Sequence, residues 1–301
     1  MRDGTPPAER PDGPVGTCEF LGLVFDRLDA RQALDRIAGR PADAPFAYVV
    51  TPNVDHVVRY DRCRAALDHF QDERKTLIDS ENGPDSPVRA FSNRMTVYGH
   101  SENALVAAYA DAWLTLCDSR ILARLADLAG LPLPVVPGSD LTAAILGQAV
   151  RPSDRIAILG GRAADIEALR HRLGLTDLHH HDPPMGFIDD PAERQRAVRF
   201  VVEAGARFTF LAVGSPRQEL IAHDVLTSGE ASGIGLCIGA SIEFLTGTQQ
   251  RAPAILQRLH LEWLFRLLSN PRRLWRRYLL EGPAIFLIFR KWRKESRGLR
   301  G

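Results

Sequence analysis

Three stretches of this sequence end an apolar run in side chains able to do chemistry. Leu114 to Arg120, LTLCDSR, delivers the carboxylate of Asp118 to the end of a run that reads as a strand. Ligands of α/β folds gather at that edge of the sheet, so Asp118 is a candidate general base. The plainer role, which the local residues favour, is a helix N-cap. Val49 to His56, VVTPNVDH, sets Thr51 and Asn53 on either side of Pro52. Both side chains suit a sugar or phosphate, and both suit capping the next helix equally well. Leu211 to Glu219, LAVGSPRQE, runs an apolar strand into Gly214-Ser215-Pro216. Glycine lets backbone approach a ligand, Pro216 fits the first turn of the next helix, and free N–H groups there attract an anion such as a diphosphate. Gln218 and Glu219 then stand on that first turn with polar heads near the ligand. The alternative is an ordinary strand-to-helix connection.

Other motifs say less. Gly160-Gly161 follows a strand, but GGRAAD is not the G-x-G-x-x-G of a dinucleotide site, and no suitably spaced acid follows it. His179, His180 and His181 are adjacent, so their side chains diverge, and no Cys or carboxylate stands at ligand spacing; they read as a solvated loop. No metal or cofactor is expected. Cys237 to Ser241, CIGAS, is a buried strand entering a turn of small residues, which serves tight packing as well as ligand approach. The four cysteines form no C-x-x-C pair and read as reduced thiols, with Cys117 a buried small residue.

The elements that must position these residues alternate. An apolar run Glu19 to Phe25, a helix over Ala30 to Ile37 and a strand Phe46 to Val50 lead into Thr51-Pro52-Asn53 and a further helix. The rhythm resumes with a strand at Trp113 to Cys117, a helix through Ile121 to Leu128, and a Pro-rich loop ending in Gly138-Ser139-Asp140. Asp140 is expected to cap a helix running through Ala143 to Ala149. Strand Arg155 to Leu159, helix Ala163 to Leu173, helix Pro191 to Ala204, and strands Phe208 to Val213 and Gly235 to Ile238 follow. This order predicts an α/β fold, a Rossmann-like, mostly parallel sheet flanked by helices. Residues 1–16 are polar and rich in Pro and Gly, and read as a disordered leader without the apolar core of a signal peptide. Residues 17–250 are expected to form the α/β body. Within it, 63–106 is polar and irregular and reads as an inserted, mobile excursion, with a lid as the lesser alternative.

The chain of 301 residues has a formal net charge of +1, and that total hides an asymmetry. Arg272 to Arg300 holds ten Lys/Arg against two Asp/Glu, which leaves 28 basic and 35 acidic residues elsewhere. The basic stretch also carries Trp263, Phe265, Trp275, Tyr278, Phe286, Phe289 and Trp292 in or beside it. Helices of this kind lie in an anionic membrane interface. A partner interface ranks second, and a nucleic-acid tail, which needs fewer apolar residues, third. Residues 251–301 are therefore expected to be a helical, amphipathic, membrane-binding appendage. No apolar stretch is long enough to span a bilayer.

Taken in order, these segments resemble the WecG/TagA/CpsF family of bacterial glycosyltransferases. The pieces are TPN at Thr51 to Asn53, the strand-borne Asp118, PGSDLT at Pro137 to Thr142, ILGG at Ile158 to Gly161 and PPMGF at Pro183 to Phe187. VGSPRQE at Val213 to Glu219, CIGASIEFLTG at Cys237 to Gly247, RAP at Arg251 to Pro253 and LEWLFRL at Leu261 to Leu267 complete them. The resemblance covers about residues 18–62 and 107–290. Cys117-Asp118-Ser119 stands where the family usually has Pro-Asp-Gly, and Val135-Val136 where an Arg often precedes the Pro-Gly.

The resemblance implies an inverting, metal-independent hexosyltransferase, similar to N-acetylmannosaminyltransferases. Such an enzyme moves a sugar from a UDP-sugar to a polyprenyl-diphosphate-linked saccharide, in exopolysaccharide or cell-envelope glycan assembly. It makes Asp118 the base and puts Thr51, Asn53 and Gln218 at the sugar and diphosphate. Gly138, Asp140, Gly160, Gly186, Gly214 and Glu219 lie in the same motifs. Arg251, Arg266, Arg272 and Arg273 are the expected partners of the leaving diphosphate. The implied location is cytoplasmic, peripheral on the inner face of the cell membrane. A catalytically inactive sugar-nucleotide binder is the alternative. Nucleic acid is not an expected partner, and a homo-oligomer stays open.

Overall fold

A computed structural model describes residues 16–79, 103–246 and 282–298. The expected leader, most of the stretch 80–106 and the tail from 247 to 281 lie outside the described residues. The run Glu19 to Phe25, expected as one strand, is an antiparallel hairpin of β1 (Thr17–Phe20) and β2 (Leu23–Asp26). Leu21 and Gly22 both take positive φ, 56° and 82°, the geometry that closes a two-residue hairpin.

Six parallel strands form the main sheet: β3 (Ala47–Val50), β4 (Leu114–Thr115), β5 (Arg155–Leu159), β6 (Asp177–His181), β7 (Phe208–Leu211) and β8 (Ile234–Cys237), in the order β4-β3-β8-β7-β5-β6. The central strands are apolar almost throughout because both faces are covered. Alternation divides them. Tyr48, Val50 and Leu211 join one core with α2 (Val54–Asp79), α4 (Arg120–Leu128), α7 (Pro191–Ala204) and α8 (Arg217–Ser228). Ala47, Val49, Phe208 and Phe210 join the other with α1 (Ala30–Gly39), α5 (Gly138–Ala144), α6 (Ala163–Leu173) and α9 (Ser241–Leu245). The Rossmann-like α/β architecture expected from the sequence is what the chain adopts.

Several local expectations change. The helix after Asn53 runs through Asp79, so much of the stretch thought irregular from residue 63 is α2; residues 103–110 form a further helix, α3. The histidine triplet is not a solvated loop. It is edge strand β6, where the ring of His180 meets the carbonyl oxygens of Gly160 and Gly161 at 3.2 Å and His181 packs against Phe200. Asp140 does not cap its helix: Pro137 holds the N-cap position, Asp140 falls in the first turn of α5, and a π-helical turn continues over Ile145–Ala149.

The last helix, α10 (Ala284–Gly298), packs on the body rather than standing apart. Ile285 and Phe289 are buried, and Phe20 meets the ring of Trp292 edge-on at a centroid distance of 5.2 Å. Two of the aromatics assigned to a membrane face therefore turn inward, while Phe286 and Leu287 stay exposed beside Arg290, Lys291 and Lys294. No helix among the described residues is long and apolar enough to cross a membrane.

Candidate active site at the carboxyl edge of the sheet

Parallel strands send all their outgoing loops to one edge. Along it lie Asp118 after β4, Thr51 and Asn53 after β3, Gly239 after β8, Gly214 after β7, Gly160 after β5 and Gly186 after β6. From β3 the chain enters α2 on one face, whereas from its neighbour β8 it enters α9 on the other. The two connections leave on opposite faces, the kind of switch point at which open α/β sheets bind ligands.

Beside it, on the β4 side of β3, Asp118 and Thr51 both lie against Gly138. Backbone bonds carry the β3–β4 pairing past the strands, from Leu116 N to Val50 O at 2.9 Å and from Asp118 N to Pro52 O at 3.0 Å. On the outer side Cys117 bridges in parallel to Val135, with Val136 N donating to Cys117 O, which brings the next loop alongside and sets Gly138 over the pair. A Cβ on Gly138 would sit 2.6 Å from Thr51 Oγ1 and 3.6 Å from Asp118 Oδ2. The hydroxyl, the carboxylate and the glycine are thus immediate neighbours, and Asp140 stands in the same helical turn as Gly138.

The capping alternatives resolve differently for the two polar motifs. Ser119, not Asp118, caps α4: its hydroxyl accepts from Leu122 N at 3.2 Å. Asn53 does cap, accepting from Asp55 N at 3.0 Å and His56 N at 3.4 Å through Oδ1. That use engages the oxygen of the carboxamide, and its NH2 end is a separate donor. Thr51 stands one residue before Pro52 and faces Gly138. Cys117 is inert, its thiol pushed up to about 12 by burial.

The glycine-rich turn after β7 departs from expectation. Pro216 sits at the N-cap of α8, one residue before the helix, and follows Ser215 through a cis peptide. Gln218 and Glu219 do not present polar heads to a ligand; they are 3 % and 1 % exposed. Gln218 Nε2 donates to Glu219 Oε1 at 2.9 Å, and Gln218 Oε1 accepts from Gly239 N at 2.8 Å. The carboxamide therefore ties the first turn of α8 to the turn after β8, the strand next to Thr51. Burial raises the pKa of Glu219, while the bond from Gln218, Ser215 and the charge of Arg59 act against that rise.

Gly160 answers a packing demand, because a Cβ there would lie 2.7 Å from Val213 Cγ1 and 3.1 Å from Ala212 O. Gly186 has positive φ and open space around it, but it follows the edge strand farthest from Asp118. Arg251, Arg266, Arg272 and Arg273 lie outside the described residues. Sequence reading missed Arg59, whose Nη1 donates to Ser215 Oγ at 2.9 Å; a single arginine within a helix carries no signal that would have singled it out. Among the described residues no group of three His, Cys, Asp or Glu is placed to hold a metal ion.

Chemically, this edge of the sheet offers a carboxylate that can take a proton, a hydroxyl and an amide that can orient a polyol, and a helix N-terminus suited to an anion. The model of the glycosyl transferase WecG/TagA/CpsF family matches residues 81–298. The match takes in Asp118, Gly138, Gln218 and α10, and it begins after Thr51 and Asn53, which resemblance alone had included. With more than half of its length aligned in this way, the chain belongs to the WecG/TagA/CpsF family of glycosyl transferases.

Proposed function

We propose that this glycosyltransferase moves a hexose, of the N-acetylmannosamine type, from a UDP-sugar to a polyprenyl-diphosphate-linked saccharide with inversion, in exopolysaccharide or cell-envelope glycan assembly. A sugar hydroxyl is a weak nucleophile and needs a base as the new bond forms. Asp118 takes the acceptor proton while the acceptor oxygen bonds to the anomeric carbon. The bond from that carbon to the diphosphate oxygen breaks, and UDP leaves with the electron pair. Thr51 and the Asn53 amide orient the sugar. Gln218 acts through Gly239, holding the backbone against which the donor lies. N–H groups at the start of α8 meet the charge that develops on the diphosphate, and Arg251, Arg266, Arg272 and Arg273 are its further proposed partners.

The supporting observation is the meeting of Asp118 and Thr51 at Gly138, where a side chain would close the space between them. The acceptor is anchored in lipid, so catalysis takes place at the inner face of the membrane. The exposed Phe286 and Leu287 with Arg290, Lys291 and Lys294 suit an anionic surface there.

The test is transfer from a panel of UDP-sugars to lipid-diphosphate acceptors by the full chain and by Asp118→Asn. The variant should lose about 10²–10⁴-fold in kcat with UDP affinity kept. UDP binding without turnover in either protein would replace this reading with that of an inactive sugar-nucleotide binder.

A further inference from the structure

Two guanidinium groups lie at the Gly214-Ser215 turn, and neither makes a direct ion pair with an acid among the described residues. Arg59 reaches across from α2 to donate to Ser215 Oγ at 2.9 Å. Arg217, the first residue of α8, lies along the other side, with Nη2 3.4 Å from where a Gly214 Cβ would be. Among the described residues no carboxylate oxygen comes within ion-pair distance of either group.

That arrangement opposes ordinary electrostatics. The first turn of a helix carries the positive end of its dipole, where a cation is disfavoured and an anion favoured. Here a twelve-residue helix starts on an arginine, and a second arginine is brought to the same turn from a distant helix. Glu219, the acid that feels the charge of Arg59, is 1 % exposed, its pKa is raised by burial, and its Oε1 is already taken by Gln218. A further polar group waits at the same place. The Tyr109 hydroxyl stands beside Ser215 on a side chain 3 % exposed.

We propose that Arg59 and Arg217 form a clamp for the diphosphate of the sugar nucleotide over the Gly214-Ser215 turn, with Ser215 and Tyr109 completing the polar wall. The proposal rests on the glycosyltransferase reading and moves the first cationic contacts from the basic tail to the body of the domain. Guanidinium forks match phosphate oxygens, and two of them at one turn select a diphosphate over a monophosphate. A lipid diphosphate shares this chemistry with UDP, so the two sources are compared directly.

The experiment is calorimetric titration of the full chain, Arg59→Gln and Arg217→Gln with UDP, UMP, uridine, inorganic diphosphate and farnesyl diphosphate. Each variant should weaken UDP by about 10-fold or more, weaken UMP less and leave uridine unchanged, with Tm retained. Equal loss of UDP and uridine, or no loss of UDP, overturns the clamp. If farnesyl diphosphate depends on the arginines and UDP does not, the donor assignment is overturned in favour of the acceptor. Arg59→Gln in a Glu219→Gln background separates clamping from charge balance. Recovery of UDP affinity there means that Arg59 serves Glu219 and not a ligand. Should the wild type bind inorganic diphosphate through Arg59 but no UDP, the anion site stands and the sugar-nucleotide reading fails. Absence of binding to either sinks the clamp.

Discussion

Asp118 and Glu219 both follow parallel strands of one sheet, both lie toward its carboxyl edge, and both stand close to the start of a helix. Their surroundings are opposite. Asp118 is part exposed beside a hydroxyl and a glycine, and Ser119 has relieved it of capping duty. Glu219 is sealed inside α8, bonded to Gln218 and raised in pKa by desolvation. The contrast teaches that position on the edge does not make a carboxylate chemical; access does. The largest effect that breaks or upholds the contrast is therefore the difference between two isosteric changes. Asp118→Asn should cost about 10²–10⁴-fold in kcat, and Glu219→Gln, which keeps the acceptor for Gln218, should cost less than about tenfold. Comparable losses in kcat would erase the distinction.

The next effect probes the glycine that keeps the Asp118 side open. In Gly138→Ala the added methyl meets Thr51 Oγ1 at 2.6 Å, so hydroxyl or loop must move. Displacing a binding group by a fraction of an ångström costs up to about 10²-fold in rate, and about tenfold in kcat/KM is expected here. Removing the hydroxyl first makes room. In a Thr51→Ala background the same methyl should therefore cost far less, and the double-mutant cycle should be strongly non-additive. Additive losses would mean that the methyl acts elsewhere.

How much of this was legible beforehand follows from the range of each interaction. Helix α7 declared itself locally, through Asp190 as cap and Pro191 at its first position, and strand β5 through its unbroken apolar run. The parallel α/β order followed from alternation, and Asp118, Thr51 and Gly138 were each visible in their motifs. Their meeting was not, because it depends on Val136 bonding back to Cys117 across a loop. The inward turn of Gln218 was equally hidden, since its partner Gly239 lies on the next strand. His180 reads as loop by composition, and only pairing with β5 makes it a strand. Arg59 sits 156 residues from Ser215, a separation that no local pattern encodes.

On the Glu219 side the contrast should appear in stability before it appears in rate. A buried carboxyl with a raised pKa keeps its proton in the folded chain at pH values where the unfolded chain has already lost it. The folded state then holds more protons, so stability falls as pH climbs from the ordinary carboxylic range through the raised value. Glu219→Gln removes that loss. Urea midpoints taken at acid and at mildly alkaline pH should show the variant gaining on the wild type as pH rises. A constant gap would mean that Arg59 and the Gln218 bond offset the desolvation fully, and Glu219 would then be an ordinary charged partner.

The smallest effect concerns the cap beside Asp118. Ser119 Oγ accepts from Leu122 N at 3.2 Å and so starts α4, whose Leu122, Ala123, Leu125 and Ala126 are buried. Replacing it by alanine removes the cap for about 1 kcal/mol, whereas glycine, which tolerates the N-cap geometry, costs only a few tenths. For a body of this size the alanine variant should lose about 2–4 °C in Tm and the glycine variant less. Neither should change kcat by more than about twofold if the β3–β4 backbone pairing, rather than the cap, holds Asp118 in place. A fall in kcat approaching that of Asp118→Asn would reverse this order, because it would make the serine hydroxyl the device that aims the carboxylate.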